Sequence, residues 1–118
     1  MATHKRQATP KMLKAQSMNT LGTIYVIEFS TPIGNITNPR GYSKFYVGWC
    51  KSGEEERRLH EHRTGLGAKI TAWAAANGIQ FDIVYTEPGT KLDELAIKNR
   101  ANTPKWINRK REQGLTRF

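Results

Sequence analysis

The sequence predicts an α+β domain: a small, mostly antiparallel three-stranded β-sheet flanked by helices, in the order β-β-α-α-β-α-α. Three observations carry this. The chain has 118 residues with 37% hydrophobic side chains, enough for one domain around one modest core. Three short segments concentrate β-branched and aromatic residues and are bounded by turn-forming residues. Four further segments carry helix-start and helix-stop signals.

In chain order, residues 1–20 are polar and basic, contain Pro10 and hold no sustained period, so they read as an N-terminal arm. "LGTIYVIEF", from Leu21 to Phe29, is the first strand. "STPIGNITNPRG" follows, with two prolines, two glycines and two asparagines, and reads as loop. "YSKFYVGWC", from Tyr42 to Cys50, is a second strand antiparallel to the first. Ser52 with Glu55 forms a capping-box pattern, which opens a helix running to about Arg63 and stopped by Gly65. A second helix runs from about Ala68 to Asn77 and stops at Gly78. "QFDIVYTE" is the third strand. Thr90 with Asp93 repeats the capping box and opens a helix through about Arg100. Thr103 as cap and Pro104 at the first helical position start the last helix, which runs to about Gln113 with Gly114 beyond. Residues 21–113 form the domain and 114–118 a short tail.

Charge is unevenly placed. The formal net charge is +9. Residues 1–20 hold Lys5, Arg6, Lys11 and Lys14 with no acid. Residues 100–118 hold six basic side chains, among them Arg109, Lys110 and Arg111, against Glu112 alone. Residues 21–99 balance nine basic with nine acidic side chains, so the whole excess sits at the two ends. Basic ends around a neutral centre point to electrostatic grip on a polyanion. The plain alternative is a basic protein that is merely soluble. No apolar run approaches the length of a membrane span, and no secretory leader opens the sequence. Cys50 is the single cysteine, which excludes an intramolecular disulfide and a multi-cysteine zinc site. A reduced, cytoplasmic protein is expected, nucleoid-associated when it holds DNA.

"RRLHEHRTGLGAKITAW", Arg57 to Trp73, invites several chemistries. His60 and His62 look like a metal pair, but residues two apart on a helix point about 200° away from one another and cannot share an ion. "GLGAKI" looks like a phosphate loop, yet it lacks the third glycine and follows a helix instead of a strand. Gly65 reads better as a helix stop and Gly67 as a tight connection. Arg58 and His62 are four apart and share a helix face, with Glu54 one turn earlier. A column of surface ion pairs is the structural alternative for that face.

The surroundings favour chemistry. "TIYVI" (Thr23 to Ile27) followed by "FYVG" (Phe45 to Gly48) resembles the paired signature of the GIY-YIG endonuclease family. Thr stands where that family usually has its first Gly, and Val replaces Ile in the second motif. Next come "RLHEH" (Arg58 to His62), "TGLGAKIT" (Thr64 to Thr71), the strand "IVYTE", and "ELAIK" (Glu94 to Lys98), which resembles the family's E-x-x-x-K helix. The resemblance covers about residues 22–110 and preserves the family's element order. It implies a GIY-YIG nuclease-like fold. It also implies that Tyr25 and Tyr46 lie beside the scissile phosphate and that Arg58 is the catalytic arginine, with His62 one turn on. Glu94 becomes the ligand of a single divalent metal, and Gly48 takes a backbone role. Two departures stand out. The motif tyrosines are 21 residues apart, further than is usual, because loop 31–41 is long. Some members carry a lysine three residues after the second motif tyrosine, where this chain has Trp49, with Lys51 two further on.

Hydrolysing a phosphodiester requires an activated water, charge relief on the phosphoryl oxygens and help for the leaving oxygen. One carboxylate, Glu94, is a thin cage that suits Mg²⁺, with Mn²⁺ as substitute. Arg58 brings permanent charge and forked donors to phosphate oxygens. Bringing a tyrosine from its usual ~10 to ~7 takes roughly 4 kcal/mol, which a guanidinium and a metal favour. Tyr46 or Tyr25 then takes a proton from water, and His62 either orients a tyrosine or acts as base; a histidine closing its helix is the structural alternative. Glu94 has its own alternative, an ion pair with Lys98. Trp49, Trp73 and Trp106 read as core or half-buried packing. Lys51, Lys69 and Lys98, with Arg109, Lys110 and Arg111, are the candidates for nucleic-acid contact; a plain surface role is equally open for Lys69. The resemblance thus implies a metal-dependent DNA endonuclease. The alternative is a catalytically idle nucleic-acid-binding module of the same fold. So short a domain reads DNA structure, reads a brief site through loop 31–41 and its basic ends, or works as a homodimer or with a protein partner.

Overall fold

The run Ile24-Tyr25-Val26-Ile27 is apolar without alternation, which calls for a strand covered on both faces. All four residues are fully buried, in the middle strand of the sheet. The computed structural model describes residues 18–34, 42–100 and 102–117. It contains β1 (Gly22–Gly34), β2 (Tyr42–Cys50), α1 (Glu55–Arg63), α2 (Lys69–Ala76), β3 (Phe81–Gly89), α3 (Lys91–Arg100) and α4 (Thr103–Glu112). The sheet order is β2-β1-β3, and both pairings are antiparallel. The expected α+β architecture and element order are present. The expected arm lies outside the described residues up to position 17, as does loop 31–41 from position 35 onward.

Alternation along the strands splits the core into two layers. On one face, Tyr25, Ile27 and Phe29 of β1 pack with Ile83 of β3, Leu59 of α1 and Ala74 of α2. On the other, Ile24 and Val26 pack with Val47 of β2, Tyr85 of β3, Ile107 of α4 and the half-buried Ile97 of α3. The β1–β3 register shifts between Val26 and Ile27, where Val84 becomes the extra residue that lets β3 serve both layers.

Several boundaries differ from expectation. β1 continues through Ser30-Thr31-Pro32-Ile33-Gly34, which read as loop. The β1–β2 register shifts between Glu28 and Ile33, so Pro32 falls in an irregular stretch where its missing N–H costs no ladder bond. Ile33 is buried and resumes pairing opposite Ser43, which explains why the strand persists past the proline. The first capping box does not form as expected. Glu54, not Ser52, occupies the cap position, and Glu55 Oε2 accepts from the Gly53 N–H at 3.0 Å. The Thr90–Asp93 box is reciprocal: Asp93 Oδ2 accepts from Thr90 N at 2.9 Å and Thr90 Oγ1 from Asp93 N at 3.2 Å. The last helix is capped by Asn102, whose Oδ1 accepts from Lys105 N at 3.2 Å, one residue before the expected Thr103. Trp49 and Trp106 are half-buried, but Trp73 is 41% exposed. Its neighbours Thr71 and Ala74 take the inward positions of the short α2, which leaves Trp73 on the outer side. No described helix is long and apolar enough to cross a membrane.

Candidate active site

Strand register places the two motif tyrosines. Tyr25 on β1 sits opposite Gly48 on β2, and Tyr46 lies two residues from Gly48 on the same face. Such diagonal neighbours are within reach of aromatic rings, and the two ring centres are 6.5 Å apart. Gly48 is required by close approach: a Cβ there would lie 2.3 Å from Tyr25 Cζ. Tyr25 is fully buried and Tyr46 half-buried.

Helix α1 supplies the next two groups. Leu59 and His62, three apart, turn inward and are buried. Arg58, four residues before His62, follows the same side and is about one-third exposed. His62 Nε2 lies 2.7 Å from the Tyr25 hydroxyl. Arg58 Nε donates to that hydroxyl at 3.3 Å, and Arg58 Nη1 donates to Glu61 at 3.0 Å. The alternative for this face, an ion-pair column with Glu54 beneath Arg58, does not form; Arg58 pairs with Glu61. Arg57, on the outer side, takes Glu54 and shares Glu61 with Arg58, whose Nε turns toward the Tyr25 hydroxyl. The His62 ring meets Tyr25 edge-on at 5.7 Å and Tyr46 at 5.4 Å. The histidine is therefore a member of the buried cluster and not a surface cap.

Two partners of His62 escaped the sequence reading. Thr71 Oγ1, on the first turn of α2, lies 2.7 Å from His62 Nδ1 and donates to Ala68 O at 3.0 Å. Gly67 lies against the same ring, where a Cβ would come within 2.0 Å of Nδ1. So Gly67 is a contact surface for the histidine as well as a connection. The one available hint was a threonine on the otherwise apolar inner face of α2, beside Ile70 and Ala74.

Helix α3 completes the cluster from the β2 side. Lys98 Nζ lies 4.8 Å from the centre of the Tyr46 ring and pairs with Glu94 Oε2 at 3.0 Å. The Glu94 side chain is only 12% exposed, which sets it apart from an ordinary surface carboxylate. Both readings of the Glu94 motif are thus compatible with its place, since the ion pair and the approach to Tyr46 coexist. The remaining cations divide. Lys51, Lys69 and Arg109 are exposed. Lys110 sits over the Tyr85 ring at 5.6 Å, and Arg111 pairs with Glu28, both on the sheet face away from the tyrosines.

Burial and the neighbouring Arg58 charge lower the His62 pKa to about 4, so its ring is neutral at pH 7. Burial, aided by the adjacent Tyr46, pushes the Tyr25 hydroxyl well above the usual tyrosine range, so Tyr25 keeps its proton. Burial likewise raises Cys50 to about 11, which removes it from consideration as a nucleophile. A cavity of about 630 Å³ lies elsewhere, lined by Phe29, Arg63, Ile79, Phe81 and Asp82 among others, and includes none of the clustered residues.

The arrangement offers a buried tyrosine, a half-buried tyrosine, a guanidinium with a fixed plane and a largely covered carboxylate beside an ammonium. No family model, curated protein or solved structure matches the chain.

Proposed function

We propose that the chain is a metal-dependent DNA endonuclease of the GIY-YIG type, hydrolysing phosphodiester bonds at the centre made by Tyr25, Tyr46, Arg58, His62 and Glu94. The observation that carries this is convergence. Residues nominated from β1, β2, α1 and α3 meet through contacts of 2.7 Å (Tyr25–His62), 3.3 Å (Arg58–Tyr25), 4.8 Å (Lys98 to the Tyr46 ring) and 3.0 Å (Lys98–Glu94).

The donor set suits a hydrated cation. Glu94 offers one carboxylate, and among the described residues no group of three or more histidine, cysteine or acidic side chains gathers to hold a metal. A single carboxylate fits Mg²⁺, which keeps several waters and accepts phosphate oxygens, or Mn²⁺ in its place. When bound, such an ion supplies charge to the phosphate and to the leaving oxygen.

The chain's own groups do the rest. Arg58 is held by Tyr25 through Nε and by Glu61 through Nη1, so its charged plane is fixed before phosphate arrives. Tyr25 keeps its proton and serves to hold Arg58 and His62 in place. Tyr46, half-buried between His62 and Lys98, is the group that, in its deprotonated form, would accept the proton of the attacking water at its phenolic oxygen. The exposed Lys51 and Lys69 grip the DNA backbone in preference to Lys110 and Arg111, whose charges are tied to Tyr85 and Glu28; Lys98, tied to Glu94 and the Tyr46 ring, contributes its charge at the centre itself.

The test is incubation of the purified chain with plasmid, branched and single-stranded DNA. Cleavage of at least one substrate is expected with Mg²⁺ and none with a chelator. DNA binding without cleavage of any substrate would favour the idle binding module instead.

A further inference from the structure

The Thr71 hydroxyl has one proton to give. Its two neighbours are Ala68 O at 3.0 Å and His62 Nδ1 at 2.7 Å. Ala68 O can only accept, so the order that makes a hydrogen bond of every contact in the row sends the Thr71 proton to Ala68 and leaves the Thr71 oxygen to accept from His62. His62 therefore carries its hydrogen on Nδ1. The neutral ring then presents a lone pair at Nε2, and the Tyr25 hydroxyl, 2.7 Å away, donates to it. The Tyr25 oxygen is left to accept from Arg58 Nε at 3.3 Å.

We infer that Thr71 is a positioning residue that sets one proton order running from α2 through His62 and Tyr25 to Arg58. With the opposite tautomer, His62 would donate from Nε2 and the Tyr25 proton would be turned out of that bond. The Tyr25 oxygen would have to accept from His62 and Arg58 together, and Thr71 would have to give up its bond to Ala68 to serve Nδ1. The two donors would then share one oxygen, and its hold on the guanidinium would weaken. Gly67 supports the arrangement by leaving room for the ring: a Cβ there would be 2.0 Å from Nδ1 and would displace the atom that Thr71 receives. Arg58 is thereby oriented by a residue whose own hydrogen bonds go to His62 and Ala68. The catalytic consequence rests on the endonuclease reading; the proton order does not.

The two parts are tested separately. NMR of protein labelled with ¹⁵N-histidine is expected to show His62 of the parent as the neutral Nδ1–H tautomer at pH 7. Thr71→Val, close in shape but without the hydroxyl, shifts the population toward the Nε2–H form, and Thr71→Ser restores it. In the cleavage assay Thr71→Val lowers kcat roughly tenfold or more with KM changed by less than about twofold, and Thr71→Ser regains most of the rate. A parent spectrum showing Nε2–H or a charged ring overturns the inference. So does a folded Thr71→Val protein with the parent's tautomer and kcat. If the valine variant does not fold, the parent spectrum and the serine variant decide. If the parent cuts no DNA, the endonuclease reading fails while the spectrum still judges the proton order.

Discussion

Replacing Arg58 with alanine is expected to lower the rate of DNA cleavage at least about a thousandfold and to leave the fold nearly as stable as the parent. The two effects separate because of where the side chain sits. Its structural bonds are few: Nε to the Tyr25 hydroxyl at 3.3 Å and Nη1 to the partly exposed Glu61 at 3.0 Å. Tyr25 keeps its shorter bond to His62, at 2.7 Å, so no buried polar atom is left without a partner. The stability cost is therefore about 1 kcal/mol or less. What the variant loses is a fixed, permanently charged donor plane at the proposed phosphate site. Arg58→Lys keeps the charge without the fork and is expected to remain strongly impaired. Nicking rates and thermal unfolding, measured side by side, check this; a parent-like rate in Arg58→Ala would remove the arginine from the reaction.

Gly48→Ala is expected to be strongly destabilising for a change of a single methyl. The new Cβ would lie 2.3 Å from Tyr25 Cζ and 2.4 Å from its hydroxyl oxygen. Tyr25 is fully buried, pinned by His62 and Arg58, and cannot swing aside as a surface side chain would. Overpacking of this kind costs roughly 3 kcal/mol, which lowers Tm by about 10 °C in a domain of this size. Displacing Tyr25 also releases Arg58 and His62, so cleavage falls with stability. Gly65→Ala makes the contrast: nothing lies within 4 Å of its Cβ, and only the positive φ of 86° is strained. Its cost is about 1 kcal/mol, with little effect on rate. Thermal melts of the two variants decide the matter, and equal shifts would contradict the packing argument.

These residues also show what a sequence can reveal and where it stops. Element order was legible because strand composition, glycine stops and the Thr90–Asp93 box are local signals, and each is met in the fold. The end of β1 was not, because Pro32 and Gly34 carry loop chemistry while the burial of Ile33 keeps the strand going. Ser52 and Thr103 misled for a related reason: several residues near a helix start can cap it, and backbone path selects among them. Within the site, Arg58 and His62 share a face by helix spacing alone. The pairing of Tyr25 with Gly48 needed the register of two strands separated by a long connection. Thr71 was out of reach, since its contact with His62 depends on how α2 lies against α1, and no periodicity encodes that.

The proposed centre is most directly tested by comparing the parent with Glu94→Ala and Tyr46→Phe in a Mg²⁺-dependent nicking assay, with DNA binding measured alongside. Glu94→Ala removes the carboxylate proposed to hold the metal, and Tyr46→Phe removes a single oxygen from a ring whose contacts with His62 and Lys98 are otherwise kept. Cleavage by the parent, with both variants reduced at least about a hundredfold while still binding DNA, is the expected result. Undiminished cutting by both variants would contradict it.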